Sequence, residues 1–270
     1  LLTFAGDQFR FRLSRSTAPS PSWQYWQGGA GWGTVAVDFF PTPVEINATN
    51  KNFSWNQALP GGSFLEDGRQ YRTQIRSRDR AGNVEADKES TFIFDTTKPS
   101  VAVSTPANNA FTNITAFTVQ GTADDRVSYG SGQDFESGFS VSGASVAVQR
   151  LSDDQWWGGA GFNQGAQFWN SGAFTGASSG TFSYALTLTA NASYYVVARG
   201  LDLAGNLQTS LTTNYFIVDT TNPSSLATSP TGSVSSVTSI SGTAQDAAPG
   251  ELAASGVVLL KIKKLAGGDD

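Results

Sequence analysis

Apolar and polar residues alternate along this chain in short stretches that are separated by Gly, Ser, Asn and Pro. Alternation with a period of two residues predicts β-strands that bury one face. The middle of the chain predicts strands at residues 101–103, 110–114, 117–123, 144–151, 180–188, 194–202 and 214–219, with a Trp-containing hairpin at 155–174. A count of about seven or more short strands is typical of a β-sandwich, so we expect an all-β fold.

One part of the pattern occurs twice. Residues 71–99 and 194–223 each carry a D-x-A-G-N sequence and end in D-T-T-x-P, with an offset of 123 residues at the first motif and 124 at the prolines. Residues 240–246 repeat the strand around 121–124, and residues 255–265 repeat the strand at 142–151. A period of one small domain predicts a tandem array.

We therefore divide the sequence into three predicted domains. Residues 1–98 are the C-terminal part of a first repeat, 99–222 a complete repeat with the Trp-rich hairpin, and 223–270 the N-terminal part of a third. The linker from Asp95 to Pro99 spans at most about 14 Å, so successive repeats are expected to lie end to end. The chain begins with Leu and contains no Met, and we expect a processed product or a window of a longer protein.

Composition excludes several classes of function. The chain has no His and no Cys, which removes the commonest general base and the usual zinc and Cys–His sites, so we do not expect an enzyme. The net charge of −5 gives no basic surface for nucleic acid. No stretch approaches the roughly 20 apolar residues of a membrane span.

The motifs Asp79-Arg80-Ala81-Gly82-Asn83 and Asp202-Leu203-Ala204-Gly205-Asn206, with their D-T-T-x-P linkers, resemble the bacterial immunoglobulin-like repeats of large secreted or surface adhesins. The resemblance implies tandem immunoglobulin-like β-sandwich domains, one complete and two partial, at the cell surface or outside the cell. In several such adhesins calcium ions stiffen the junctions, with ligands from the D-x-A-G-N turn, the linker Asp and the next domain.

Carried onto this sequence, the resemblance implies two candidate calcium sites. The first would use Asp79, Asn83, Asp95, Asp124 and Asp125. The second would use Asp202, Asn206, Asp219 and Asp246, with Glu251 as an additional ligand. The alternative is turn chemistry alone, because an Asp before Ala-Gly-Asn accepts backbone N–H groups while Gly and Asn adopt positive φ.

Two further sets of residues suggest surface chemistry. Trp157 and Trp169 in the hairpin are candidates for stacking on sugars, and the alternative is that these rings are buried in the sandwich or against a neighbouring repeat. Four N-x-[ST] sequons make Asn47, Asn52, Asn113 and Asn191 candidate glycosylation sites.

We thus expect a non-enzymatic spacer or adhesive segment of an extracellular repeat protein. Its partners would be neighbouring repeats or identical subunits, and cell-surface glycans. Two alternatives stay open: a filament subunit, in which the third repeat of one copy completes the first repeat of the next, and a carbohydrate-binding module that uses the exposed Trp residues.

Overall fold

The computed structural model describes residues 9–17, 22–47, 49, 52–62, 64–126, 135–253 and 258–264. These residues form strands and loops, and none of them belongs to a helix long and apolar enough to cross a membrane. The fold is all-β, as the alternation predicts. We call residues 9–94 the first unit, 100–218 the second unit and 224–264 the third unit, because the two D-T-T-x-P segments separate them.

The first unit is built on one antiparallel sheet with the strand order β3-β2-β1-β6-β7, and a separate hairpin of β4 and β5. The strands are β1 (Phe9–Thr17), β2 (Ser22–Trp26), β3 (Trp32–Gly33), β4 (Val44–Asn47), β5 (Asn52–Ser54), β6 (Arg69–Ser77) and β7 (Lys88–Phe94). Phe11, Leu13 and Tyr71 point to one face, where Trp26 and Phe64 cover them. Trp26 at the end of β2 and Phe64 in a loop therefore close the core of this unit.

The second unit has two sheets that enclose one core, in a β-sandwich-like arrangement. Its strands are β8 (Ser100–Thr105), β9 (Ala110–Thr112), β10 (Ala116–Asp124), β11 (Phe139–Arg150), β12 (Gln155–Trp157), β13 (Phe162–Gln164), β14 (Asn170–Ser171), β15 (Ala173–Gly176), β16 (Ser179–Thr187), β17 (Ala192–Asp202) and β18 (Thr213–Val218). The smaller sheet has the order β15-β16-β10-β8, and the larger has β13-β12-β11-β17-β18-β9 with β14 beside β11.

The strands predicted for this unit are all present, because both sheets bury alternate residues of each strand. Val119 and Phe182 from the smaller sheet meet Val146, Tyr194 and Phe216 from the larger one in the core. Any residue larger than glycine at position 121 would clash, since a Cβ there would lie 2.1 Å from the carbonyl oxygen of Ala102 and 2.3 Å from the Phe182 ring.

The third unit contains the hairpin of β19 (Ser224–Ser229) and β20 (Ser241–Gln245), which pair as β8 and β10 do. The strand predicted at 255–265 falls partly outside the described residues, and residues 258–264 are not in a strand. In the second unit the corresponding strand, β11, pairs with β17. The described part of the third unit offers no such partner, and an unpaired strand leaves its backbone groups without hydrogen bonds.

The first and second units each contain a hydrogen-bonded corner of the same kind. The hydroxyl of Tyr71 accepts the backbone N–H of Glu66 at 2.7 Å, and that of Tyr194 accepts the N–H of Thr189 at 2.7 Å, five residues upstream in both cases. Gly68 and Asn191, at equivalent places, both have positive φ. The corner holds the start of β6 or β17 next to the linker that follows β7 or β18.

Candidate metal centre between the first and second units

Three buried aspartates meet where the first unit joins the second. Asp95 follows β7 in the linker, Asp125 follows β10, and Asp202 ends β17. Each offers a carboxylate oxygen, and these oxygens lie within 4.8 Å of one another. The side chains are 7%, 1% and 5% exposed, respectively. We call these three residues the aspartate trio.

Strand direction explains why the trio forms. The linker leads into β8, whose first residue, Ser100, lies opposite Asp124 at the end of β10. β17 ends at the same edge of the sandwich, where the side chain of Gln208 accepts the N–H groups of Val101 and Gly200 at 2.9 and 3.1 Å. The buried glutamine therefore fixes the start of β8 against the end of β17.

Backbone N–H groups orient all three carboxylates. Asp95 accepts the N–H of Thr97 at 3.0 Å and that of Ser137 at 2.8 Å. Asp125 accepts the N–H of Gly138 at 2.7 Å through one oxygen. Asp202 accepts the N–H of Asn206 at 2.7 Å and its side-chain amide at 2.8 Å. The positions of the carboxylates are thus set by the loops around them.

The second carboxylate oxygen of Asp125 is buried and has no hydrogen-bond partner among the described residues. Burial, together with the charges of Asp95 and Asp202, raises the pKa of Asp125 from 3.8 to about 6. Within the described ranges no Lys or Arg forms an ion pair with any member of the trio. The three carboxylates are therefore gathered without a compensating Lys or Arg among the residues that the structure describes.

The same residues join the two units. Asp95 bonds to Ser137 of the second unit through its side chain, and its backbone carbonyl accepts the side-chain amide of Asn206 at 3.1 Å. The N–H of Phe135 donates to the carbonyl of Gly68 in the first unit at 3.2 Å. Anything that binds the trio therefore also acts on the joint.

The structure groups the predicted calcium ligands differently from the sequence-based expectation. Asp79 and Asn83 were expected beside Asp95, but β6 starts next to the linker and runs away from it, so Asp79 lies roughly 30 Å from Asp95 along the strand. By the same geometry Asp202 and Asn206 lie far from Asp219. Each D-x-A-G-N turn lies at the end of its unit that is opposite the D-T-T-x-P linker following that unit. Asp202 therefore lies beside Asp95, which belongs to the linker preceding its unit.

At Asp79 the turn chemistry accounts for the motif. Asp79 accepts the N–H of Asn83 at 2.8 Å and its side-chain amide at 2.6 Å, and Gly82 has a φ of 91°. These hydrogen bonds, the Asn83 amide first, lower the pKa of the exposed Asp79 carboxyl. Asp202 makes the same turn and, in addition, belongs to the trio.

Asp124, also expected as a ligand, lies outside the trio. Successive residues near the end of a strand point to opposite sides, so Asp125 is buried and Asp124 is not. Its carboxylate accepts two hydrogen bonds from the guanidinium of Arg126, at 2.9 and 2.7 Å, which lower its pKa. The negative charge of Asp124 is thereby balanced by Arg126, two residues further along the chain.

The second linker brings together Asp219 and Asp246, the counterparts of Asp95 and Asp125. A Cβ built on Gly250 would lie 2.3 Å from a carboxylate oxygen of Asp219 and 2.7 Å from one of Asp246, so both carboxylates surround this glycine. Asp219 accepts the N–H of Thr221 at 2.9 Å, as Asp95 does that of Thr97. Glu251 beside them is exposed.

The chemistry of the trio suits a hard cation. Its donors are carboxylate oxygens, with the carbonyl of Asp95 nearby, and its charge is uncompensated among the described residues. Calcium takes six to eight oxygen ligands at 2.3–2.6 Å in flexible geometry, so the three carboxylates would supply part of the shell.

The remaining predicted sites lie elsewhere. Trp157 is only 6% exposed and its indole N–H donates to the Tyr184 hydroxyl at 2.9 Å, so it is a core residue and cannot stack on a sugar. Trp169 is half-buried with the Arg199 guanidinium 4.1 Å above its ring, which covers one face. The four sequon residues Asn47, Asn52, Asn113 and Asn191 are all exposed, and glycosylation stays a prediction.

A comparison of the sequence with models of protein families and with curated protein sequences finds no match.

Proposed function

We propose that this chain is a segment of an extracellular or cell-surface array of immunoglobulin-like domains, and that it serves as a spacer whose joints are stiffened by calcium. The observation that carries the proposal is the aspartate trio, which combines a linker residue with two residues of the following unit around a buried, unpartnered oxygen. A buried charge without a partner is unfavourable unless something compensates it.

The immunoglobulin-like assignment is supported by the tyrosine corners. In such sandwiches a Tyr near the start of a strand bonds to the backbone a few residues upstream, as Tyr71 and Tyr194 do here. The two facing sheets of the second unit and the repeat of the corner at the equivalent place in the first unit add to this support.

The residues present fit calcium better than a transition metal, because no His or Cys is available and all ligands are oxygens. When bound, calcium would supply positive charge that balances the three carboxylates. Asp95 would then be held against Asp125 and Asp202, so the linker would be fixed to the second unit. At the second linker, Asp219 and Asp246 repeat two of these three positions.

The spacer role follows from the joint. The linker is short, and Asp95, Asn206, Ser137 and Gly68 already take part in hydrogen bonds across it. Closing such a joint with a cation limits the rotation of one unit relative to the next. A spacer needs this stiffness, whereas a Gly/Ser linker would behave as a flexible coil.

Head-to-tail complementation has weaker support and stays a prediction. It would insert strands of the third unit against the inner face of the first unit in another copy. In the first unit, Leu13 and Tyr71 on that face are already fully buried beneath Trp26 and Phe64. An incoming strand would have to displace these side chains.

Calcium titration of the purified chain by isothermal calorimetry tests the proposed site. We expect saturable calcium binding, and we expect Asp202→Asn to remove one binding event, since the change deletes a charge while the remaining oxygen still accepts the N–H of Asn206. The matched control is Asp79→Asn, which makes the same change in the equivalent turn of the first unit and should leave the isotherm unaltered. Identical isotherms for all three proteins would contradict the site.

A further inference from the structure

A row of aromatic and amide side chains crosses the outer face of the larger sheet of the second unit. Trp156 on β12 lies opposite Gln149 on β11, which lies opposite Tyr195 on β17, which lies opposite Tyr215 on β18. Gln164 on β13 lies opposite Trp156 and extends the row at its edge. Residues directly opposite one another share a face, so these five side chains form one line, which we call the outer row.

The rings of the outer row touch one another and remain accessible. The Trp156 and Tyr195 centroids are 5.7 Å apart with an interplanar angle of 89°, and those of Tyr195 and Tyr215 are 5.5 Å apart at 64°. Tyr215 is 46% exposed, and Trp156 and Tyr195 are half-buried. Ring faces and ring edges therefore alternate along the row.

The polar tips of these rings have no partner in the described part of the chain, whereas aromatic residues in the core do. Trp157 donates its indole N–H to Tyr184, and Tyr194 bonds to Thr189. Among the described residues, none donates to or accepts from the indole N–H of Trp156 or the hydroxyls of Tyr195 and Tyr215. Burial raises the pKa of Tyr195, so its hydroxyl remains protonated and can both donate and accept.

The fold itself does not require aromatic residues at these positions. Tyr71 and Tyr194 occupy the same corner, so Arg72 of the first unit is the counterpart of Tyr195. The same cross-strand register places Tyr25, Ser14, Arg72 and Thr91 in the equivalent row of the first unit. The row of the first unit contains one aromatic ring, yet its strands pair in the same way. We infer that the three rings of the second unit are not needed for sheet formation.

We propose that the outer row binds an uncharged oligosaccharide. Apolar C–H faces of sugar rings can pack on the aromatic faces, while sugar hydroxyls can bond to the indole and phenol groups and to the amide oxygens of Gln149 and Gln164, whose amide nitrogens donate to Asp154 and Asn163. None of the five side chains is charged, which matches a neutral ligand rather than a phosphate- or sulfate-bearing one. The backbones of Trp156 and Tyr215 are three strand spacings, roughly 14 Å, apart. Their rings lean toward Tyr195, at centroid distances of 5.7 and 5.5 Å, so the ring surface is a little shorter and still suits a short oligosaccharide rather than a single sugar.

The proposal is independent of the calcium site. Tyr195 lies near the start of β17 and Asp202 at its end, roughly 23 Å apart along the strand. Binding to the outer row should thus be equal in calcium and in EGTA, and unchanged in Asp125→Asn. Failure of one proposal therefore leaves the other intact.

The test is native affinity electrophoresis of the full chain in gels that contain neutral polysaccharides (hydroxyethylcellulose, mixed-linkage β-glucan, xylan, galactomannan or soluble starch), with heparin as the anionic probe. Calorimetry with a hexasaccharide of the retarding polymer would then give Kd. We expect retardation by at least one neutral polymer, and about a tenfold rise in Kd for Trp156→Ala or Tyr215→Ala, the equivalent of losing one stacked ring.

The matched control is Tyr25→Ala, which truncates the counterpart of Trp156 in the first unit and should leave Kd unchanged. Tyr215→Phe, which keeps the ring, should raise Kd less than Tyr215→Ala. Binding of heparin alone, or of no polymer by a folded protein, would overturn the proposal. Self-association that depends on concentration and is abolished by Trp156→Ala, without any sugar binding, would also overturn the proposal. The outer row would then be a contact surface between copies, extended by the exposed Phe111 on the strand next to Tyr215.

Discussion

Asp125→Asn is expected to stabilise the calcium-free protein and to abolish the part of its calcium response that comes from the trio. Asp125 is held between Asp95 and Asp202, and this environment raises its pKa from 3.8 to about 6. A difference of that size corresponds to about 3 kcal/mol of unfavourable free energy for the charged form in the folded state. Asn removes the charge and still accepts the N–H of Gly138, so the unfolding free energy should rise by about 2 to 3 kcal/mol at pH 7.5.

When calcium is added, we expect the order of stability to reverse, so that the wild-type protein becomes more stable than Asp125→Asn. Ligand that binds only the folded state adds about 3 to 4 kcal/mol at a free concentration 100 to 1,000 times Kd. Urea unfolding with and without EGTA measures both effects. The neighbouring change Asp124→Asn is the control, because Asp124 is paired with Arg126 outside the trio and its loss should leave the calcium response intact. A destabilised Asp125→Asn protein in EGTA would argue against a repulsive trio.

The calcium-free protein is expected to lose stability as the pH rises from about 4 to about 6, through the contribution of Asp125. An acid whose pKa is higher in the folded than in the unfolded state stabilises the fold below the unfolded value, here 3.8, and this contribution is lost as the pH passes the folded value of about 6. The loss amounts to about 3 kcal/mol. Other carboxyls with lowered pKa values, such as Glu66, Asp79 and Asp153, act in the opposite direction at the acid end.

The difference between the wild type and Asp125→Asn isolates the contribution of this one group. Urea unfolding in EGTA at pH 4.5, 5.5, 6.5 and 7.5 should show a gap between the two proteins that widens with pH and levels off above pH 6.5. Calcium should stabilise the wild type more at pH 7.5 than at pH 4.5, because protons and calcium compete for the same carboxylates. A gap that is constant with pH would contradict the raised pKa of Asp125.

Much of the second unit could be predicted from the sequence. Its strands alternate because each sheet has one buried face, and the alternation at 117–123 and 194–202 is read directly from the residues. The Gly121-Thr122-Ala123 repeat also has a physical cause, since Gly121 lies against the carbonyl oxygen of Ala102. A repeated glycine indicates that a neighbouring strand comes close at that position, but the sequence does not say which strand it is.

The members of the trio were among the predicted ligands, but their grouping was not predictable from motif order. Asp79 and Asp95 belong to one repeat and are close in sequence, yet the length of β6 separates them. Asp202 and Asp95 are 107 residues apart, yet their carboxylate oxygens lie within 4.8 Å, because β17 runs back toward the linker that precedes its unit. Strand direction within the sandwich decides this, and the motifs alone do not specify it.

The aromatic residues show a second limit of the sequence. Adjacent residues of a strand face opposite sides, so of Trp156 and Trp157 only one can be buried. The sequence left both outcomes open for Trp157, as a sugar-stacking ring or a buried one, and in the structure Trp157 packs in the core while Trp156 is in the outer row. The alignment of Trp156 with Tyr195 and Tyr215 depends on cross-strand register, which requires the structure.

If calcium at the trio stiffens the joint between the first and second units, the distribution of distances between spin labels on the two units will show it. The sequence has no Cys, so spin labels can be placed at Thr91→Cys on β7 and Thr187→Cys on β16, both exposed. We predict a narrow distribution in calcium that broadens in EGTA, and no sharpening by calcium in Asp125→Asn. Equal widths in calcium and EGTA for the wild type would contradict a calcium-dependent joint.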